Sequence, residues 1–509
     1  MWTIKNFLSQ QWDAIIASVI ASMAMYFLTI HSGIGLSPDS IAYSSSAGNI
    51  KDHFALLDFN GLPLVDFPAG YPFFLAMFYA ITGIIPIAFA PFLNSLLYVG
   101  VILLSGIIMD GFTQTTRGYR IMILSILATS PCLWEVYSML WSETLFLFLA
   151  MLFFLQWKQY VQNHSYKDLL LLAVITAIAF ATRFAGITIL ATGLALILFD
   201  GSVPFWKKIK QGSLYFVIGI SLVALNLYRN QLITDTAAGV REKALRSVVD
   251  NLLDIGSVLG EWLPFLSNHK AIGAGVFLLL VVVAKLGYIF RILQQQFYHK
   301  IATAINLYLL VYAVFIVGVS SISRFEILSS RLLSPIYIPL ILVATAWILP
   351  MMKNQTKFIR RGILIVGMGL FIFCMKNQYK LNAANWEGIA FAGIPGYSED
   401  QWTLSPMIQH INQHKDSIKG PVYSDAPGGL YHLTGIRSLP LPHNEILKEQ
   451  NELLAHKNLI VVWFTDGINH DLIDMPFIQK YKAPAAIRTF SDGFIYYFKD
   501  KDSSTVTIH

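Results

Sequence analysis

Apolar runs long enough to cross a bilayer recur through the first three quarters of the 509-residue chain, and no other feature limits its fold as tightly. A hydrocarbon core about 30 Å thick takes about 20 helical residues. Inside it each backbone N–H and C=O must be bonded within the segment, so helices are the natural solution. Spans are predicted around Ala14 to Ile30, Phe89 to Met109, Ile121 to Tyr137, Met139 to Trp157, Leu169 to Thr182 and Phe184 to Phe199. More are predicted around Gly212 to Tyr228, Ala271 to Phe290, Ile301 to Ser321, Leu332 to Met352 and Gly362 to Met375. Only 13% of residues are charged, about half the roughly 25% of ordinary globular chains, which excludes a purely soluble protein. The first run follows Lys5 and could be mistaken for a secretory signal. No small-residue cleavage site succeeds it, so it is read as a retained span.

Charge sets the expected orientation. The connections at 110–120, 158–168, 200–210, 285–300 and 353–361 hold 14 of the 36 Lys and Arg, with clusters at Lys207, Lys208, Lys210 and at Arg360, Arg361. They are expected on the cytoplasmic side, with the N-terminus. The alternate connections, 32–70, the turn near Glu143, 229–270, 320–331 and everything after Lys376, then lie outside the cytoplasmic membrane. The net charge of +6 belongs to these loops and gives no reason to expect nucleic acid as a partner. Between Phe67 and Met109 there is no charge for 43 residues, enough for two spans, yet two would break the alternation. Gly83, Pro86 and Pro91 resolve this: Tyr71 to Ile84 is expected as a partial or interfacial helix, a fully spanning 71–88 helix being the rival. That gives about eleven spans over residues 1–375.

Residues 376–509 have ordinary globular character, with 12 basic and 14 acidic residues and no spanning run. They are expected to form a separate soluble α/β domain. Ser405 to Ile418 reads as an amphipathic helix, and Val422 to Ser424 and Leu459 to Phe464 as buried strands. Ile487 to Phe498, around Ser491-Asp492-Gly493, reads as a hairpin. The last ten residues read as frayed. Cys132 and Cys374, the two cysteines, both sit in or beside apolar runs, so neither a disulfide framework nor a thiolate metal site is expected.

Several polar residues stand where chemistry is possible. Asp39, in Ser37-Pro38-Asp39-Ser40, follows the first span; a carboxylate there can take a proton from an acceptor beside a lipid-borne substrate. Its bland alternative is a cap on the helix after Pro38. Asp66, before Phe67-Pro68-Ala69-Gly70-Tyr71-Pro72, sits at a rigid re-entry and either contacts substrate or belongs to a turn. Glu143, after Trp141-Ser142, and Glu135 are costly beside apolar spans, so at least one should face a polar cavity. Alternatively Glu143 sits in interfacial water with Trp141 as an aromatic anchor. Arg183, Arg229, Arg241, Lys243, Arg246, Arg324 and Arg331 lie on the same expected side, able to hold an anionic headgroup or merely to snorkel to lipid phosphate. The 12 His are scattered, no His-Glu-x-x-His occurs, and there is no Walker loop or dinucleotide fingerprint. No metal site and no cofactor is assigned. Ser424-Asp425-Ala426-Pro427-Gly428-Gly429 reads as a strand-to-helix turn without catalytic support.

The order of these segments resembles the GT-C glycosyltransferase superfamily, in particular bacterial families similar to protein O-mannosyltransferases and aminoarabinose-lipid A transferases. The resemblance rests on Asp39-Ser40 with Tyr43, Phe67 to Pro72, Ser142-Glu143, Thr182-Arg183-Phe184, Asn226 to Asn230 and Arg331-Leu332-Leu333-Ser334-Pro335. Tail segments at Gly396 to Trp402 and Tyr423 to Gly435 look like those of further bacterial relatives. It implies a GT-C-like membrane domain and transfer of a sugar from a polyprenyl-phosphate donor. The acceptor would be a glycan, lipid or protein at the outer membrane face. It also implies Asp39 as general base with Glu143 as a second acidic position, and Arg331 as a phosphate contact. Arg241 and Arg183 join Arg331 as candidates for the phosphate; Tyr43, Asp66 and Tyr71 are candidates for substrate contact. The chain departs from the pattern at Asp39-Ser40, where mannosyltransferases have Asp-Glu, and lacks the Glu-Lys-Pro of aminoarabinose transferases. Neither sugar, acceptor nor dependence on a divalent metal is fixed by these residues. The alternative is a non-enzymatic transporter or lipid flippase with an external accessory domain. Transporters usually carry repeated helical architecture and mid-span polar residues, and neither is seen here.

Overall fold

The computed structural model describes residues 4–112, 116–239, 241–263, 269–293, 300–353, 355–465 and 471–501. In chain order its first helices are α1 (Ile4–Thr29), α2 (Pro38–His53), α3 (Gly70–Thr82), α4 (Pro86–Met109), α5 (Arg117–Ala128) and α6 (Pro131–Ser138). Then come α7 (Glu143–Asn163), α8 (Tyr166–Thr182), α9 (Ile187–Leu198), α10 (Phe205–Thr234) and α11 (Val248–Trp262). The last four of the bundle are α12 (Lys270–Leu293), α13 (Ile301–Ile322), α14 (Ser330–Lys353) and α15 (Lys357–Ala392). Eight of these, α1, α4, α7, α10, α12, α13, α14 and α15, are long and apolar enough to cross a membrane. A ninth pass is α5 with α6, bent by 46° where Pro131 opens the second piece.

Ion pairs fix the two ends of the bundle. At one end Asp13 of α1 holds Arg117 and Arg120 of α5, and Arg120 also reaches Asp110 beyond α4. At the other end lie the loops that meet the C-terminal domain. Helices α8 and α9 have only 17 and 12 residues, yet they join the same ends. Arg183, just after α8, pairs with Glu143 at the start of α7 (2.6 Å), whereas His164 and Asp200, beyond α7 and α9, lie 3.8 Å apart. By length, the described helices able to span thus number eight, or nine with the bent pair, against the eleven expected, and α8 and α9 are shorter elements that run between the two ends. Helix α3 is too short to cross: 13 residues span about 20 Å before Gly83 ends it in the left-handed region. Both its ends stay near one end of the bundle. Gly70 backs onto Ala181 and Thr182, and the Tyr79 ring lies under Lys51 of α2, with 4.1 Å from the ammonium to the ring centre. The interfacial expectation for 71–84 therefore fits, and the 71–88 span does not form.

Helix α15 departs from expectation. Its 36 residues extend about 54 Å and run on to Ala392, so the expected domain border at 375/376 falls inside a continuous helix. Lys376-Asn377-Gln378 changes the solvent preference but breaks no helix, and the chain leaves the helix only at Gly393 (φ 84°).

Beyond it come α16 (Asp400–Thr403), α17 (Pro406–Gln413), β1 (Val422–Ser424), α18 (Pro427–Thr434), β2 (Leu439–Pro440) and α19 (Leu447–Leu454). The chain continues through β3 (Asn458–Phe464), α20 (Met475–Tyr481), β4 (Lys482–Phe490) and β5 (Gly493–Asp500). The sheet order is β2-β1-β3-β5-β4, parallel among the first three and antiparallel for β3-β5-β4. The expected buried strands are β1 and β3, and the expected hairpin is β4-β5, turning at Ser491-Asp492. The amphipathic helix is shorter than expected, ending at Gln413 before a 3₁₀ turn over Lys415–Ser417. Most of the segment read as frayed, residues 502–509, lies outside the described residues.

The domain is tied to the bundle at the segment that opens the first loop. The amide of Gly35 donates to Ser138 O (2.8 Å), and Leu140 N returns a bond to Gly35 O (3.0 Å). On the other side Tyr397 N donates to Leu36 O (2.8 Å) and Ser398 Oγ to Ile34 O (2.7 Å). Gly396, at φ +102°, permits this approach, since a Cβ there would sit 2.2 Å from Leu36 O.

Asp425, at the end of β1, accepts from Phe464 N (3.1 Å), and burial pushes its carboxyl up to about 6. Its folded value lies above its unfolded one, so the folded state holds the proton longer. Stability is therefore expected to fall as pH rises from about 4 to about 6 and to level off above. Asp425→Asn, which keeps an acceptor for Phe464 N, should remove that fall and raise the melting temperature at pH 7.5 by about 2–4 °C. Thermal scans of the full chain in detergent between pH 4 and 8 check this; an unchanged pH slope would refute it.

Candidate functional site

Helix α2 begins where the sequence left two options for Asp39. Ser37 takes the capping role: its Oγ accepts from Ser40 N (3.4 Å) while Ser40 Oγ accepts from Ser37 N (3.0 Å), a reciprocal box with Pro38 in the first turn. Asp39 is thereby left to face inward from the first turn, where Arg331 of α14 donates Nη2 to its Oδ2. Arg331 also gives Nε to Glu143 Oε1 (2.7 Å), and its Nη1 stands 3.8 Å from Glu326 Oε2. The guanidinium lies over the Trp141 ring, 4.1 Å from guanidinium carbon to ring centre. Trp141 is in turn held by Nε1 donating to Ser37 Oγ (2.9 Å). The loop that caps α2 thus also fixes the platform for the arginine.

Glu143 is fully buried, with its side chain 0% exposed, so the interfacial-water alternative fails. It is compensated twice, by Arg331 and by Arg183 Nη1 at 2.6 Å from Oε2. Arg183 gives a further bond to Ser142 Oγ (2.8 Å), and the Tyr43 hydroxyl lies 3.3 Å from the same oxygen. Asp39, Glu143, Arg183, Arg331 and Tyr43 therefore form one centre, drawn from α2, α7, the α8–α9 junction and α14.

Other candidates go elsewhere. Tyr71 is 0% exposed and packs edge-on against Tyr43 (ring centres 5.1 Å apart), bracing that ring. Asp66 and Arg241 meet each other, Arg241 Nη2 donating to Asp66 O (3.4 Å), and both line a polar cavity of about 510 Å³ with Arg324, His443 and Glu449. The contacts of Asp66 and Arg241 are thus with each other and with this second cavity. Both stand in loops that pack against one another and against the C-terminal domain. Arg229 holds the first loop through Leu56 O and Leu64 O, Arg246 pairs with Asp254, and Arg324 with Glu242 and Asp471. The arginines that hold Glu143 are Arg183 and Arg331. Glu326 is not among the sequence candidates; its signal is an acid five residues before Arg331, in the short connection that precedes α14.

Behind Trp141 opens a mainly apolar cavity of about 910 Å³. Helices α6, α11, α14 and the upper half of α15 supply its walls, including Trp262, Tyr337, Leu381 and Ile389. Both cysteines line it, and Glu135 and Glu261 stand on its wall. The continuation of α15 past Met375 is what closes this space on its far side.

No protein-family model and no curated protein matches the chain. Solved structures do. ArnT from Cupriavidus metallidurans bound to undecaprenyl phosphate aligns over 96% of this chain and 98% of its own, at 12% identity and a TM-score of 0.56. The same protein in the apo state gives 13% identity and 0.55 over the same shares. An Archaeoglobus fulgidus oligosaccharyltransferase, tethered with an acceptor peptide, aligns over 98% of this chain and 75% of its own, at 11% identity and 0.50. At such identities the likeness establishes architecture. The helical bundle with its C-terminal domain therefore shares the architecture of these solved structures.

Proposed function

We propose that the protein is an integral membrane glycosyltransferase. It moves a sugar from a polyprenyl-phosphate donor to an acceptor at the membrane face that carries the C-terminal domain. The observation that carries this reading is that Arg331, paired with the Asp39 carboxylate, lies over the Trp141 ring, and Trp141 lines a mainly apolar cavity of about 910 Å³. Such a cavity suits a prenyl chain, and the guanidinium suits its phosphate. The structural neighbour ArnT carries undecaprenyl phosphate, which fits the same ligand class.

In the reaction, the acceptor oxygen attacks the anomeric carbon of the donor sugar as the carbon–oxygen bond to phosphate breaks. The acceptor proton passes to Asp39, and the bonding pair leaves with polyprenyl phosphate. One displacement from the opposite side inverts the anomeric centre. Negative charge grows on the departing phosphate, so contacts from Arg331, with Arg183 behind it, strengthen toward the transition state and lower the barrier. The clustering of Lys and Arg at the opposite end of the bundle supports an extracytoplasmic placement of this face.

Cys374 provides a native reporter, since it lines the cavity. Polyprenyl phosphate is expected to slow its alkylation by a lipophilic maleimide, and mass spectrometry is expected to find a prenyl phosphate, bare or glycosylated, with the purified protein. Unprotected Cys374 together with the absence of any bound prenyl phosphate would remove the donor from the scheme.

A further inference from the structure

All three nitrogens of Arg331 are engaged by carboxylates. Nε serves Glu143, Nη2 serves Asp39, and Nη1 faces Glu326. One ring face is covered by Trp141, and the side chain is 11% exposed. A two-point grip on phosphate needs two N–H groups along one edge of the fork, and neither edge is open. Resting on the assignment of this centre to a lipid phosphate, we infer that the phosphate and the Asp39 carboxylate exchange on Arg331, so that seating the donor releases the base.

The partners differ in how firmly they are held, and this decides which of them yields. Glu143 is 0% exposed and bound by a second cation, Arg183, at 2.6 Å, so pulling it away strands two buried guanidiniums. Glu326 is 62% exposed and stands 3.8 Å off, a contact worth little. Asp39 is 18% exposed and, among the described residues, its ion pair is with Arg331. Nor does α2 need Asp39 as its cap, because Ser37 and Ser40 supply that. The two weakly held acids share the outer Nη1–Nη2 edge, and the firmly held one sits on Nε. Phosphate therefore takes the outer edge, displaces Asp39 and Glu326, and leaves Glu143 in place to hold the arginine.

The exchange couples two requirements of the reaction. A centre with three carboxylates and two guanidiniums is already one negative charge in excess, so an added phosphate and an undisplaced Asp39 repel each other across the same cation. Once parted from the guanidinium, the Asp39 carboxylate has its lone pairs free to take the acceptor's proton. The event that positions the leaving group thus also frees the base, and the donor binds before the acceptor is activated.

Binding of undecaprenyl phosphate to the full chain in nanodiscs tests this without any knowledge of the sugar or the acceptor. Asp39→Asn, which removes the competing charge, is expected to bind about tenfold more tightly than the parent. Glu326→Gln should bind about twofold more tightly, and Arg331→Gln at least about tenfold more weakly. If Asp39→Asn binds equally or more weakly while Arg331→Gln still loses affinity, the exchange is wrong and the phosphate assignment survives. If Arg331→Gln binds like the parent, the phosphate assignment itself falls, and the exchange with it. Asp39→Ala, which keeps the Ser37–Ser40 box, carries the same expectation should the Asn variant be unstable.

Discussion

Asp39→Asn is expected to lower sugar transfer by about three orders of magnitude while leaving the chain folded. Losing a positioned general base typically costs 10²–10⁴-fold, and this carboxylate has no obvious substitute. Glu143 is buried between two arginines, and Glu326 stands beyond the arginine in a different loop. The fold should survive because the start of α2 depends on Ser37, Ser40 and Pro38, and because the asparagine can still accept from Arg331. The variant thus separates binding from chemistry: it should hold undecaprenyl phosphate more tightly than the parent and turn the donor over hardly at all. Single-turnover assays with a glycosylated polyprenyl phosphate check this. Transfer at a tenth of the parent rate or more would remove Asp39 from the role of base.

The bundle was legible because a bilayer allows few solutions. Its passes and their alternation follow from apolar length and from the loops that carry Lys and Arg. The interfacial α3 followed from a charge-free stretch with Gly83 and Pro86 in it. Hydropathy reports which solvent a helix meets but not where it ends, and so the border placed at Met375 missed the upper half of α15 that walls the large cavity. At the site, Asp39, Glu143, Arg183, Arg331 and Tyr43 were each visible as a polar or aromatic residue at a span end, but the pairings were not. Asp39 and Arg331 are 292 positions apart, and no local period links them. Asp66 and Arg241 carried the same local signals and came to a different cavity. Trp141 looked like an interfacial anchor because that is where tryptophan usually serves; its use as a platform for Arg331 depends on α14 reaching over α7, which only packing decides.

Glu143→Gln should be the most destabilising single change at the centre. The carboxylate is fully enclosed, with Arg183 at 2.6 Å and Arg331 at 2.7 Å. Removing its charge leaves two guanidiniums facing each other in a poorly solvated space, and breaking a buried pair from one side typically costs about 3–5 kcal/mol. The penalty comes from the stranded cations more than from the lost bonds, so it should shrink when a cation is removed as well. Arg183→Gln combined with Glu143→Gln should therefore be more stable than Glu143→Gln alone, although Arg183→Gln by itself destabilises the parent. This sign reversal is what a double-mutant cycle reads. Melting temperatures of the four proteins in one detergent supply the measurement. If the two losses simply add, Glu143 is not the counter-charge of Arg183, and the centre must be held by packing around Trp141 and Tyr43 instead of by its charges.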